Sequence, residues 1–158
     1  MATERRKLKF ATLDEAVADA ESLLATGYDR AGNWELAQVA GHLAEWMRFP
    51  LDGFPKVPLP VRPILWVVRT VSGKGMLKTV LEHGFTPGTR TIGETVPQPG
   101  GDPTTAVAKL RETAGRWKTH SGNVYPSPLF GAMTRDTALQ LQLVHCAHHL
   151  SYLIPKNA

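Results

Sequence analysis

The chain has 158 residues, 42% of them hydrophobic and 20% charged, a composition that fits one globular domain with a real core and excludes a disordered polypeptide. Its 18 lysines and arginines outweigh 14 acids to leave a net charge of +4, and its single cysteine, Cys146, excludes both an intramolecular disulfide and a cysteine-cluster metal site. The most apolar run, from Pro63 to Val68, is too short to cross a bilayer, and the charged N-terminus leads into no apolar segment, so the expectation is a cytoplasmic protein with no membrane association.

Residues 1–11 read as a short extended lead. Thr12-Leu13-Asp14-Glu15 is a capping box, in which Thr12 caps the helix and Glu15 reaches back. Ala16, Val17, Ala20, Leu23 and Leu24 continue it as an apolar stripe, and Gly27 stops it. A second helix is expected from Trp34 to Phe49, capped by Asn33 and ended before Pro50. Trp34, Gln38, His42, Glu45 and Phe49 share one side of it. Gln38 or Glu45 is then placed to hold a free ring nitrogen of His42, and Glu45 is the candidate general base.

The prolines at 50, 55, 58, 60 and 63 predict a stiff loop. A third helix is expected over about Ile64 to Glu82, weakened or bent by Ser72-Gly73-Lys74-Gly75. That Gly-x-Gly follows no strand and lacks Walker spacing, so it is no phosphate loop. Residues 83–102 read as a long irregular loop, either a cover over a site mouth or a meandering surface connection. Asp102-Pro103 opens the next helix as N-cap and N1 proline, and it runs through Ala106, Val107, Leu110, Ala114 and Trp117 to near Ser121-Gly122. A turn-rich link from Tyr125 to Met133 leads to Thr134, which caps a last helix ending before Pro155. The sum is an all-α fold of about five helices, without a convincing strand, in a single domain over residues 1–158.

Between Lys56 and Arg90 the basic residues are Lys56, Arg62, Arg69, Lys74, Lys78 and Arg90, against one acid, Glu82. No nucleic-acid-binding motif accompanies them. They read as a solvated face or as a basic rim around an anionic small molecule, and nucleic acid is not an expected partner.

The last helix carries the chemistry. Half of the six histidines lie between Leu141 and Leu150. On a helix, His145 and His149 project from one face a turn apart, where two imidazoles can share one metal ion at roughly 2.0–2.1 Å. His148, three residues from His145, competes for the second place. A pair needs a third ligand, and His42 in the apolar second helix is the best candidate. His83 and His120 stand in polar surroundings near helix ends and are weaker ones. Cys146 sits about 100° around the helix from His145 and reads as a packed core thiol.

Three stretches resemble the DinB/YfiT-like metalloenzymes, and within them a bacterial subfamily of unknown function. They are Arg6–Phe10 with Leu13–Ala16; Gly32-Asn33-Trp34-Glu35-Leu36-Ala37-Gln38-Val39-Ala40-Gly41-His42-Leu43-Ala44; and Pro128–Arg135 followed by His145-Cys146-Ala147-His148-His149-Leu150. The resemblance implies a four-helix bundle core holding a divalent metal on His42, His145 and His149, with one coordination position open. It also implies use of a low-molecular-weight thiol such as bacillithiol, mycothiol or glutathione in S-transfer or isomerisation, or hydrolysis with water. Two departures stand out: Ser127 where that subfamily has a histidine before Pro-Leu-Phe-Gly, and Ser151-Tyr152 where a Gln or Arg is expected.

Three neutral imidazoles leave a divalent ion its full charge, which acidifies a water or a thiol. Histidine ligands favour zinc or nickel. The expectation is therefore a metal-dependent enzyme, a thiol S-transferase or a hydrolase, acting on a small molecule. The alternative is a non-catalytic helical bundle that binds a small molecule or a metal. A homodimer is expected from base rates alone.

Overall fold

The Thr12 hydroxyl accepts the Glu15 backbone N–H and the Glu15 carboxylate accepts that of Ala11, which fixes the start of helix α1, Leu13–Thr26. A computed structural model of the chain describes residues 4–88 and 95–156. Gly27, at φ +79°, ends α1 and turns the chain into a three-residue strand β1, Tyr28–Arg30. Next come α2 (Leu36–Asp52), a 3-10 turn at Leu59–Val61, α3 (Arg62–Val71) and α4 (Gly73–His83). After them follow α5 (Pro103–Thr119), α6 (Arg135–Leu150) and strand β2 (Leu153–Pro155).

The fold is an all-α helical bundle, as expected. Helices α1, α2, α5 and α6 supply the core, in which Leu23, Leu36, Leu43, Met47, Leu110 and Leu150 are wholly buried. The core side of each follows from apolar residues at helical spacing: Leu13, Ala16, Val17, Ala20 and Leu23 on α1, and Val107, Leu110, Ala114 and Trp117 on α5. Cys146 is buried among them, and burial pushes its thiol pKa up. No described helix is long and apolar enough to cross a membrane.

Four expectations change. Helix α2 begins after Glu35 rather than Asn33, because the Glu35 N–H donates to Gln38 Oε1 and the Leu36 N–H to the Tyr28 hydroxyl. It also continues through Pro50 to Asp52. A proline there removes one helical bond, and partners from elsewhere hold the segment: Trp117 Nε1 donates to the Met47 carbonyl at 3.0 Å and the Tyr125 N–H to the Pro50 carbonyl at 2.9 Å.

The expected third helix is two helices with their break at Ser72. Gly73 is buried there, and a Cβ on it would stand 2.9 Å from the Leu129 carbonyl oxygen, so glycine lets α4 touch that backbone. The two short strands, not expected at all, pair antiparallel with Tyr28 opposite Pro155 and Arg30 opposite Leu153. The N-terminal lead joins this end of the molecule. The Arg6 N–H donates to the Ser151 carbonyl, and its guanidinium bridges both Asp19 oxygens and the Leu150 carbonyl.

Candidate metal centre

Residue His42 lies midway along α2, with no exposed surface. Its Nδ1 is 3.1 Å from the Thr95 carbonyl oxygen, with the Thr95 hydroxyl at 3.3 Å. A carbonyl only accepts, so Nδ1 carries the proton and Nε2 keeps a lone pair. That lone pair is directed to His145, whose Nε2 is 3.3 Å away. His149, one turn on from His145, completes the group: the ligand atoms of His42, His145 and His149 all lie within 4.8 Å of one another.

This donor set fits a metal ion. Two nitrogens about 2.05 Å from one ion in a tetrahedral arrangement stand about 3.3 Å apart, the separation found between His42 and His145. The imidazoles are also in the right protonation state. Burial lowers the pKa of His42 to about 4, despite the opposing hydrogen bond to Thr95. Burial, followed by the neighbouring His42 and His148, lowers His149 to about 2, and His145 falls well below its ordinary value for the same first reason. All three are neutral at pH 7, as ligands must be. The three-histidine cluster can hold a metal ion.

Aromatic rings surround it. The Trp34 indole stacks parallel on His149 at 5.1 Å and presents its edge to His42 at the same distance. Trp46 lies 5.8 Å from His145 and 6.1 Å from His42, and Phe85 lies 5.3 Å from His145. These rings lower the local dielectric and displace water. His145 and His149 nonetheless keep part of their surface exposed, unlike His42.

Among the residues singled out in the sequence, His42, His145 and His149 converge and the others do not. His148 points away, between Phe85 and Tyr152 at 5.7 and 5.6 Å. His83 bonds the Thr79 carbonyl and His120 the Asn123 carbonyl, both at exposed positions. The place on His42 Nδ1 belongs to Thr95, not to Glu45 or Gln38. Gln38 donates to the Pro97 carbonyl. Glu45 holds Arg48 at 2.8 Å and Lys109 at 2.5 Å. Partial burial pushes the Glu45 pKa up, but those two cations outweigh it and hold the carboxyl below its usual range. Arg90 lies outside the described residues.

Thr95 and Phe85 had no signal of their own in the sequence. Both lie within the 83–102 loop, whose described parts reach the histidines. Gln142 did carry a signal, since it precedes His145 by three residues and His149 by seven on one face of α6. It is buried, its Oε1 has no hydrogen-bond partner among the described residues, and it lines a cavity of about 30 Å³ beside Trp46. That is room for one water. Ser127, the departure noted above, lines the same cavity and folds its own turn, its Oγ accepting the N–H groups of Leu129 and Phe130.

No curated protein and no solved structure matches the chain. A family model described as "Protein of unknown function (DUF1569)" matches residues 2–156, and the chain therefore belongs to that family.

Proposed function

We propose that this protein is a metal-dependent enzyme whose three histidines hold zinc or nickel and which activates a low-molecular-weight thiol for transfer to an electrophile, with activation of water for hydrolysis as its second mode. The observation that carries the reading is the convergence of three buried or half-buried neutral imidazoles from two helices. When bound, the ion supplies the positive charge that makes a thiol or a water nucleophilic at neutral pH. The resemblance to the DinB/YfiT-like enzymes supports the same reading.

The protein's own groups do the rest. Thr95 fixes the His42 tautomer, so that Nε2 faces inward without rearrangement. Trp34, stacked on His149, restricts that ring to one orientation. Trp34, Trp46 and Phe85 make an apolar surround, which suits sulfur and an apolar electrophile better than it suits water, and favours the thiol mode. The partial exposure of His145 and His149 leaves substrates a way in.

The test is turnover by protein loaded with zinc or nickel, using 1-chloro-2,4-dinitrobenzene with glutathione, cysteine, bacillithiol or mycothiol in turn. Thiol-dependent turnover that disappears in His149→Ala is the expected result. Turnover of 4-nitrophenyl acetate without any thiol would select the water mode. Stoichiometric binding of thiol with no turnover of either substrate would overturn the enzyme reading in favour of a binding protein.

A further inference from the structure

Helix α3 carries a second constellation, remote in sequence from the histidines. Arg62, Leu65, Trp66 and Arg69 fall at i, i+3, i+4 and i+7, so they share one face. With Pro126 and Pro128 opposite, they line a cavity of about 360 Å³, within the size range of small-molecule sites. Its walls are apolar and its charged groups are both guanidiniums.

Each arginine has one contact with the neighbouring backbone. Arg62 Nε donates to the Val57 carbonyl at 2.9 Å, and its terminal NH₂ groups have no hydrogen-bond partner among the described residues. The Arg69 stem passes Gly131, where a Cβ would stand 3.4 Å from Arg69 Cγ and 3.5 Å from Cδ. Gly131 closes a tight turn with Ser127, each N–H donating to the other's carbonyl at 2.9 Å. The α3–α4 corner is seated on that turn where Gly73 meets Leu129. The cavity thus lies between two segments whose backbones are fixed against each other.

Neither arginine has an acidic partner among the described residues. Arg6, Arg48, Arg111, Arg116 and Arg135 do, while Arg5 and Arg30 likewise lack one. Two guanidiniums lining one concave apolar space, with no acid beside them among the described residues, suit an oxyanion, which guanidinium binds bidentately. The indole of Trp66 between them offers a flat apolar face.

We infer that the cavity bounded by Arg62, Trp66 and Arg69 is a binding site for a small amphiphilic anion: a carboxylate, phosphate or sulfonate on an aromatic or apolar body. The oxyanion lies between the guanidiniums and the body against Trp66 and the two prolines. This site stands whether or not the histidines hold a metal.

The test uses 8-anilinonaphthalene-1-sulfonate, an aromatic sulfonate that fluoresces on binding, with the full-length protein. Saturable binding of the dye is expected. Arg62→Met and Arg69→Met should each weaken it about tenfold or more, as expected for loss of a charge-assisted pair. The uncharged N-phenyl-1-naphthylamine should bind far more weakly, and inorganic phosphate should compete. Val67→Ser, on the outward face of α3 where Val67 is 50% exposed, should leave dye binding unchanged. Circular dichroism would establish that each variant is folded. Absence of dye binding by the wild type would overturn the inference, as would arginine variants that bind like the wild type or equal affinity for the neutral dye.

Discussion

A buried histidine is costly to protonate, and three of them make the fold acid-sensitive in a predictable direction. Burial sets the pKa of His42 near about 4, whereas in the unfolded chain it is about 6.5. Above pH 6.5 both states are neutral and His42 contributes no pH dependence. As pH falls below that value the unfolded chain takes up a proton that the folded chain refuses, so stability drops. By pH 4 the loss from His42 reaches about 3 kcal/mol, and His149, lowered to about 2, adds to it. Urea midpoints of metal-free protein should therefore decline as pH falls from about 6.5 to 5, and a flat profile over that range would contradict this. The same geometry ranks the histidines as ligands. His145→Ala or His149→Ala should lower metal content far more than His148→Ala, because the His148 ring packs on Phe85 and Tyr152 instead. Equal losses from all three variants would show that the cluster is not the ligand set.

Two glycines of helix α4 separate the effects of propensity and packing. Beyond its own stretch of helix, no atom of the described residues lies within 4 Å of where a Cβ on Gly75 would stand, whereas at Gly73 the Leu129 carbonyl oxygen lies 2.9 Å from that point. Alanine is the better helix former by about 1 kcal/mol. Gly75→Ala should therefore raise the melting temperature, and Gly73→Ala should lower it as the corner is pushed off the 127–131 turn. Thermal melts of the two variants check this, and a shift of the same sign in both would contradict it. Helix ends were legible in the sequence wherever the capping group is local, as at Thr12, Asp102, Thr134 and Gly27. They were not legible where the holding partner is distant. The sequence around Pro50 signals a stop, and α2 continues past it with Trp117 and Tyr125, arriving from elsewhere in the chain, bonded to its carbonyls. The strand Tyr28–Arg30 has two charged residues in three and exists because Leu153–Pro155 returns beside it.

For the molecule as a whole, four helices form the core and position the histidines from two of them. The spacing of His145 and His149 revealed their shared face, because helix periodicity is a local property. That His42 meets them depends on how α2 packs against α6, which periodicity does not encode; the sequence offered His42 only as the best third candidate, a histidine within a second apolar helix. The group that orients His42 is a backbone carbonyl, that of Thr95, and a carbonyl has no residue-type signature to read. The central claim is that this convergence holds one divalent ion. Elemental analysis of tag-free protein, with the wild type beside a folded His42→Ala variant, tests it most directly. About one equivalent of zinc or nickel per chain in the wild type, lost in the variant, is the predicted result. Wild-type protein that is metal-free and also fails to take up added zinc or nickel would contradict it.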